Sequence, residues 1–213
     1  MNQDVEISSK IAEYLLETQA VKLNLSDPFT WSSGWKSPIY CDNRVTLSYS
    51  EIRSFIKRAF AERIRREYPE CNAIVGVATA GIAIGALVAD ELGISFAYCR
   101  PEPKKHGMKN QLEGRLADDA QIVVMEDLIS TGGSSLKVVD YLRNEGHHIL
   151  GMAAIFTYEI PVAAENFSNA NCGYFTLSKY TALIATAEKT GYIEASQMAK
   201  LNEWAVDPAN WRP

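Results

Sequence analysis

The chain has 213 residues, 47% of them hydrophobic and 22% charged, and a formal net charge of -5. That length suits one domain with a sizeable core, and the negative balance excludes a surface that grips nucleic acid throughout by counterion release. Cys41, Cys71, Cys99 and Cys172 form no CxxC pair and the three histidines no HExxH, so a protein-held zinc site is not expected.

The N-terminus, MNQDVEISSK, lacks the basic start and apolar core of a signal peptide, so free thiols in a cytoplasm are expected. Residues 1–45 precede any regular alternation and are expected to form a small N-terminal cap. Ser48 to Glu51 is a capping-box pattern. Ile52, Phe55, Ile56, Ala59, Phe60 and Ile64 follow at helical spacing, ending before Pro69. Glu62 and Glu67 are interspersed with Arg63, Arg65 and Arg66, which makes that face solvated rather than a nucleic-acid patch. The uncharged run AIVGVATAGIAIGALVA, 73–89, is shorter than the ~20 residues of a bilayer span and is broken by Gly76, Thr79, Gly81 and Gly85. It reads as a strand at 73–77, a loop, and a helix at 81–92 stopped by Gly93.

A strand is expected at 94–99, then a loop at 101–119 without hydrophobic periodicity, longer than most connections in a compact domain. Strands at 121–126, 149–156 and 174–178 alternate with a helix at 134–145 (apolar Leu136, Val138, Val139 and Leu142, terminator Gly146) and a helical segment at 162–167. Residues 191–213 read as a C-terminal helix and a tail with Trp204 and Trp211. The expectation is a single α/β domain over 1–213. Its core, 46–190, is an open, mainly parallel five-stranded sheet with helices on both faces.

The most informative stretch is VVMEDLISTGGSS, 123–135. Ligands of open parallel sheets bind outside the carboxyl ends of the strands, and Glu126 and Asp127 stand there. Two carboxylates beside an apolar run are costly unless something compensates them. Ser130, Thr131, Gly132 and Gly133 follow, and glycines together with a helix start favour close approach of a phosphate. A bare phosphate would be repelled by the acids. A phosphorylated sugar would place its phosphate on the amides and its hydroxyls on the carboxylates, and phosphoribose has that shape. No GxxxxGK[ST] and no GxGxxG occurs. A second feature lies in the long loop, where Arg100, Lys104, Lys105, His106 and Lys109 face a single acid, Glu102. On an acidic chain this is a local electropositive arm suited to pyrophosphate; its bland reading is a solvated loop.

VVMEDLISTGGSS resembles the phosphoribosyl-pyrophosphate (PRPP) signature of type I phosphoribosyltransferases. FTWSSGWKSPIYCDNR (29–44) and RPEPKKHGMKNQLEG (100–114) resemble the cap and basic loop of the orotate phosphoribosyltransferase family. The resemblance implies transfer of phosphoribose from PRPP to N1 of orotate, giving orotidine 5-monophosphate and pyrophosphate, a step of pyrimidine (UMP) synthesis. It implies that Glu126 and Asp127 bind the ribose hydroxyls, with Asp127 counted as catalytic. Leu128 would contact PRPP; Ile129, Ser130, Thr131, Gly132, Gly133 and Ser134 would hold the 5-phosphate, and Thr79 and Ala80, within a turn at 78–81, would meet pyrophosphate. Arg100, Lys104, Lys105 and His106 would bind PRPP, with Lys104, His106 and Arg100 serving catalysis. Ser130, Tyr40, Cys41 and Lys36 are the implied orotate contacts, although Lys36 reads equally as a surface lysine. Mg²⁺ would arrive through PRPP rather than be held mainly by protein. Further expectations are a homodimer whose loop 101–119 reaches the neighbouring site, and neither nucleic-acid nor membrane partners.

The chain departs from some members at Ser32, Ala80 and Pro101, where they carry lysines, and near Tyr158 and Glu159, where they carry an arginine. A phosphoribosyltransferase for a purine base, or a PRPP-binding regulator without chemistry, remain the alternatives.

Overall fold

The structure, a computed structural model, describes residues 3–31, 33–103 and 110–212. It begins with a helix inside the segment expected as a cap, α1 (Gln3–Glu17), whose Ile11, Ala12, Leu15 and Leu16 form one buried face. These residues share a core with the central sheet, so this part of the N-terminal segment packs on the main body. Two small antiparallel pairs follow. β1 (Val21–Leu23) pairs with β4 (Ile39–Cys41), and β2 (Phe29–Thr30) pairs with β3 (Lys36–Ser37). Trp31 anchors them to the body, its ring 4.7 Å from that of Tyr158 and 5.7 Å from that of Trp204.

A 3-10 helix, Asn43–Ser48, leads into α2 (Ser50–Glu67). The expected capping box at Ser48 is not formed. Ser48 closes the 3-10 turn, and the cap is Tyr49, whose side chain makes no capping bond. Then come β5 (Ala73–Val77), α3 (Ala80–Leu92), β6 (Ser95–Cys99), β7 (Leu112–Glu113), β8 (Gln121–Ile129) and α4 (Gly133–Asn144). The chain continues through β9 (His148–Thr157), α5 (Pro161–Asn169), β10 (Tyr174–Lys179), α6 (Tyr180–Lys189) and α7 (Met198–Val206). Gly93 ends α3 in the left-handed conformation at φ 70°, as its position suggested.

The central sheet runs β10-β9-β8-β5-β6-β7. Its first five strands are parallel and are the five expected. The sixth, β7, comes from the long loop and adds antiparallel to β6. Side chains alternate across β8. Ile122 and Val124 join the core under α4 and α5, whereas Val123 and Met125 join the core under α2 and α3. Each such buried aliphatic contributes ~1.5–3 kcal/mol.

The order places the site. From β5 the chain passes to β6 on one side and later returns to β8 on the other, so the sheet's topological switch point lies between β5 and β8. α3 starts directly over this gap. A Cβ on Gly81 would stand 2.4 Å from the Met125 carbonyl oxygen, so only glycine admits that approach.

Candidate active site

β8 outruns its neighbour. Its register with β5 ends at Met125–Gly76, while pairing with β9 continues to Ile129–Thr157. The strand expected to stop at 126 therefore carries both acids on its projecting end. Glu126 is buried, and its Oε2 accepts a 3.1 Å hydrogen bond from the Ser135 hydroxyl. Burial first, and the Asp127 charge second, push the Glu126 carboxyl up to about 8. Burial likewise raises Asp127, although the Arg44 guanidinium pulls it the other way. The ligand-free pair thus favours retaining a proton, and ribose hydroxyls that both donate and accept match it chemically.

Asp127 is also held through its backbone. The Asn43 amide, 1% exposed, donates to the Asp127 carbonyl oxygen at 2.7 Å, and Asn43 Oδ1 receives the Cys41 thiol at 3.2 Å. This residue ties the segment bearing Tyr40 and Cys41 to the acid pair. Asn43→Ala is expected to cost ~1 kcal/mol through loss of its hydrogen bond to the Asp127 carbonyl. Urea unfolding at neutral pH checks this, and an unchanged midpoint would show the bond to be dispensable.

Beyond Ile129 the chain turns through Ser130, Thr131 and Gly132, and α4 opens at Gly133 and Ser134. Gly132 is the helix cap at φ 80°, and a Cβ there would meet the Phe167 ring at 2.6 Å. Asn166 of the same helix, α5, braces the turn by donating to the Thr131 carbonyl at 2.9 Å. The first helical bond is Leu136 N–H to Gly132 O. The preceding N–H groups have no intrahelical acceptor and present a cradle for an anion. Gly132→Ala combines a disfavoured φ with a ring clash, so the affinity of this turn for a phosphate group should fall about tenfold or more as the cradle shifts. Titration calorimetry with a sugar phosphate would read this, and an unchanged affinity would detach Gly132 from phosphate binding.

A cavity of about 290 Å³ lies beside this loop, lined by Ala78, Thr79, Arg100, Pro101, Glu102, Ser134 and Lys137. The turn after β5, including Thr79 as the cap of α3 and Ala80 as its first residue, therefore meets the start of the basic arm and the start of α4. Arg100 Nε is buried without a hydrogen-bond partner among the described residues. Both ends of the arm are pinned. Arg100 N–H donates to Gln111 O at 2.9 Å, the Gln111 amide donates to Arg100 O at 2.7 Å, and Tyr98 pairs with Glu113. Lys104, Lys105, His106 and Lys109 lie outside the described residues, as does Ser32.

The implied orotate contacts come from the cap strands and from Ser130, partly exposed just beyond β8. Tyr40 is 44% exposed, and burial keeps the Cys41 thiol protonated. Lys36 is exposed and donates to the Thr30 hydroxyl at 2.8 Å across the β2–β3 pair. Tyr158 is buried in the aromatic cluster, and Glu159 pairs with Lys179 at 3.0 Å; a phenol and a carboxylate at these positions bring no cation where some members carry an arginine. The larger cavity, about 690 Å³ between α1, α6 and the outer strand β10, contains none of the expected site residues. Asn43, Ser135, Arg44 and Lys137 were not singled out from the sequence. Asn43 and Lys137 act on partners 84 and 35 residues away, whereas Arg44 and Ser135 lie inside the quoted segments beside Asp42 and Glu126, where other residues carry the pattern.

Among the described residues, no group of three or more carboxylate, imidazole or thiol side chains converges as a metal site. The acid pair beside an anion cradle nevertheless suits a hard cation that brings most of its oxygens with the substrate.

A family model described as "Phosphoribosyl transferase domain" matches residues 47–170. An orotate phosphoribosyltransferase of Bacteroides thetaiotaomicron is 51% identical over 200 residues, 94% of each chain. One of Porphyromonas gingivalis is 51% identical over 201 residues, 94% of this chain and 96% of that protein. The crystal structure of orotate phosphoribosyltransferase from Aeropyrum pernix superposes with a TM-score of 0.74 at 28% identity, covering 86% of this chain and 99% of that one.

Proposed function

This chain belongs to the orotate phosphoribosyltransferase family, and from that premise we infer that it transfers phosphoribose from PRPP to orotate, releasing pyrophosphate and forming orotidine 5-monophosphate for pyrimidine synthesis. The observation that carries the reading is the junction at the switch point. There the acid pair, the anion cradle at α4 and the cavity bearing Arg100 lie within one sheet edge.

On this reading each part has a task. The α4 start and the Gly132 turn take the 5-phosphate, Glu126 and Asp127 take the ribose hydroxyls, and the cavity beside Thr79, Ala80 and Arg100 takes pyrophosphate. As the bond from C1 to pyrophosphate breaks, positive character grows on the sugar and negative charge on the leaving oxygens. Arg100, Lys104 and His106 are assigned to that developing charge, with Lys105 helping to bind PRPP. Closure of the arm would exclude water that would otherwise hydrolyse the sugar. Mg²⁺ bound through PRPP would neutralise pyrophosphate charge. N1 of orotate loses its proton as bonding proceeds, so no strong protein base is required. The base would lie toward Ser130 and the cap segment with Tyr40, Cys41 and Lys36.

The reading includes a homodimer in which loop 101–119 of one subunit serves its neighbour, and one functional unit over 1–213 with cap, core and C-terminal tail. A cytoplasmic setting accords with the four free cysteines. No helix among the described residues is long and apolar enough to cross a membrane.

The test is the near-ultraviolet absorbance of orotate over time with protein, PRPP and Mg²⁺, each omitted in turn. A fall that requires all components is expected. No fall with orotate, together with saturable turnover of hypoxanthine or adenine, would move the assignment to a purine base.

A further inference from the structure

We propose that Lys137 is a pyrophosphate-binding residue of this site and that Glu102 occupies its ammonium group until substrate arrives. The inference rests on the phosphoribosyltransferase reading above and adds a residue and a competition to it.

Lys137 and Ser134 are three residues apart on α4 and therefore share a face. Both line the cavity that also holds Thr79 and Arg100. The helix start thus offers the cavity its amides at Ser134 and, one turn on, a full positive charge. Lys137 Nζ lies 3.3 Å from Glu102 Oε1, with the two side chains 60% and 78% exposed. A pair so open to water contributes little to stability, so exchanging its anion is inexpensive. A pyrophosphate group carries more negative charge than one carboxylate, and Arg100, whose buried Nε has no partner among the described residues, brings a second cationic side chain to the same cavity. Glu102 lies two residues beyond Arg100, on the arm itself, so replacing Glu102 by pyrophosphate oxygens would also release the root of the arm from α4. An ordinary surface ion pair would have neither consequence.

Titration calorimetry of the full-length protein with Mg-pyrophosphate, and separately with Mg-PRPP, tests both residues. Lys137→Gln should weaken pyrophosphate binding about tenfold, the scale of one charge-assisted hydrogen bond, and Lys137→Arg should restore most of it. Glu102→Gln should tighten binding by about threefold, and this gain should vanish when Lys137→Gln is also present. Wild-type affinity in Lys137→Gln, or weaker binding in Glu102→Gln, overturns the proposal alone. A wild-type protein that binds neither ligand overturns the phosphoribosyltransferase reading and the proposal with it.

Discussion

Lys104→Ala is expected to lower kcat about 100- to 1,000-fold while PRPP still binds, the scale seen when one donor is removed from developing charge. Lys104 lies outside the described residues, but the chain on either side of it is placed. Arg100 lines the cavity proposed for pyrophosphate, and its two bonds to Gln111 bring the two ends of the intervening segment together. Two arrangements are open to the arm, service of its own site or of that of an adjoining subunit. Mixing decides between the two. If the arm serves its neighbour, combining Lys104→Ala with Asp127→Asn, each inactive alone, should restore about a quarter of wild-type activity, because half of the dimers are mixed and each has one complete site. No restoration would place the arm over its own site. Near-normal turnover of Lys104→Ala by itself would remove the arm from the chemistry.

Glu126→Gln should separate activity from stability. Replacing the ionisable carboxyl proposed to bind a ribose hydroxyl by an amide should reduce kcat/KM about 10- to 100-fold. The ligand-free fold should gain. Glu126 titrates near its ordinary 4.5 when unfolded but is pushed up to about 8 in the fold by burial and by Asp127. Between those values the native state binds the proton and the unfolded chain does not. Native stability therefore falls as pH rises through that window. Glutamine has no proton to lose. The thermal midpoint of Glu126→Gln relative to wild type, without ligand, should consequently rise from pH 5 to pH 8. A difference that stays flat or shrinks over that range would mean that the carboxyl is not held protonated by its surroundings. The burial that lowers native stability in this window is the same burial that would present a desolvated carboxyl to a sugar hydroxyl, so the cost and the proposed function share one cause.

Much of this architecture is written locally. The five parallel strands were legible because β-branched runs such as 73–77 and 121–126 are short, apolar and bounded by turns. The cradle was legible because its requirements are consecutive: two acids, a turn with a positive φ at Gly132, and a helix start. Less was visible where the signal is weak or shared. α1 and α6 have ordinary amphipathic sequences, and each acquires its position by packing against the other and against β10. The Ser48 capping box failed because the preceding residues close a 3-10 turn first, which moves the start of α2 beyond it.

By itself the sequence determined the alternation of strands and helices, the chemistry of the loop after β8 and the basic character of the arm, since each depends on residues within one turn or strand of one another. Only the tertiary structure decided that β5 and β8 are neighbours, that β7 closes the root of the arm, and that Asn43 holds Asp127 from 84 residues away. The physical reason is that strand order and buried hydrogen bonds are settled by which distant surfaces exclude water together, a competition among all segments that no single segment encodes.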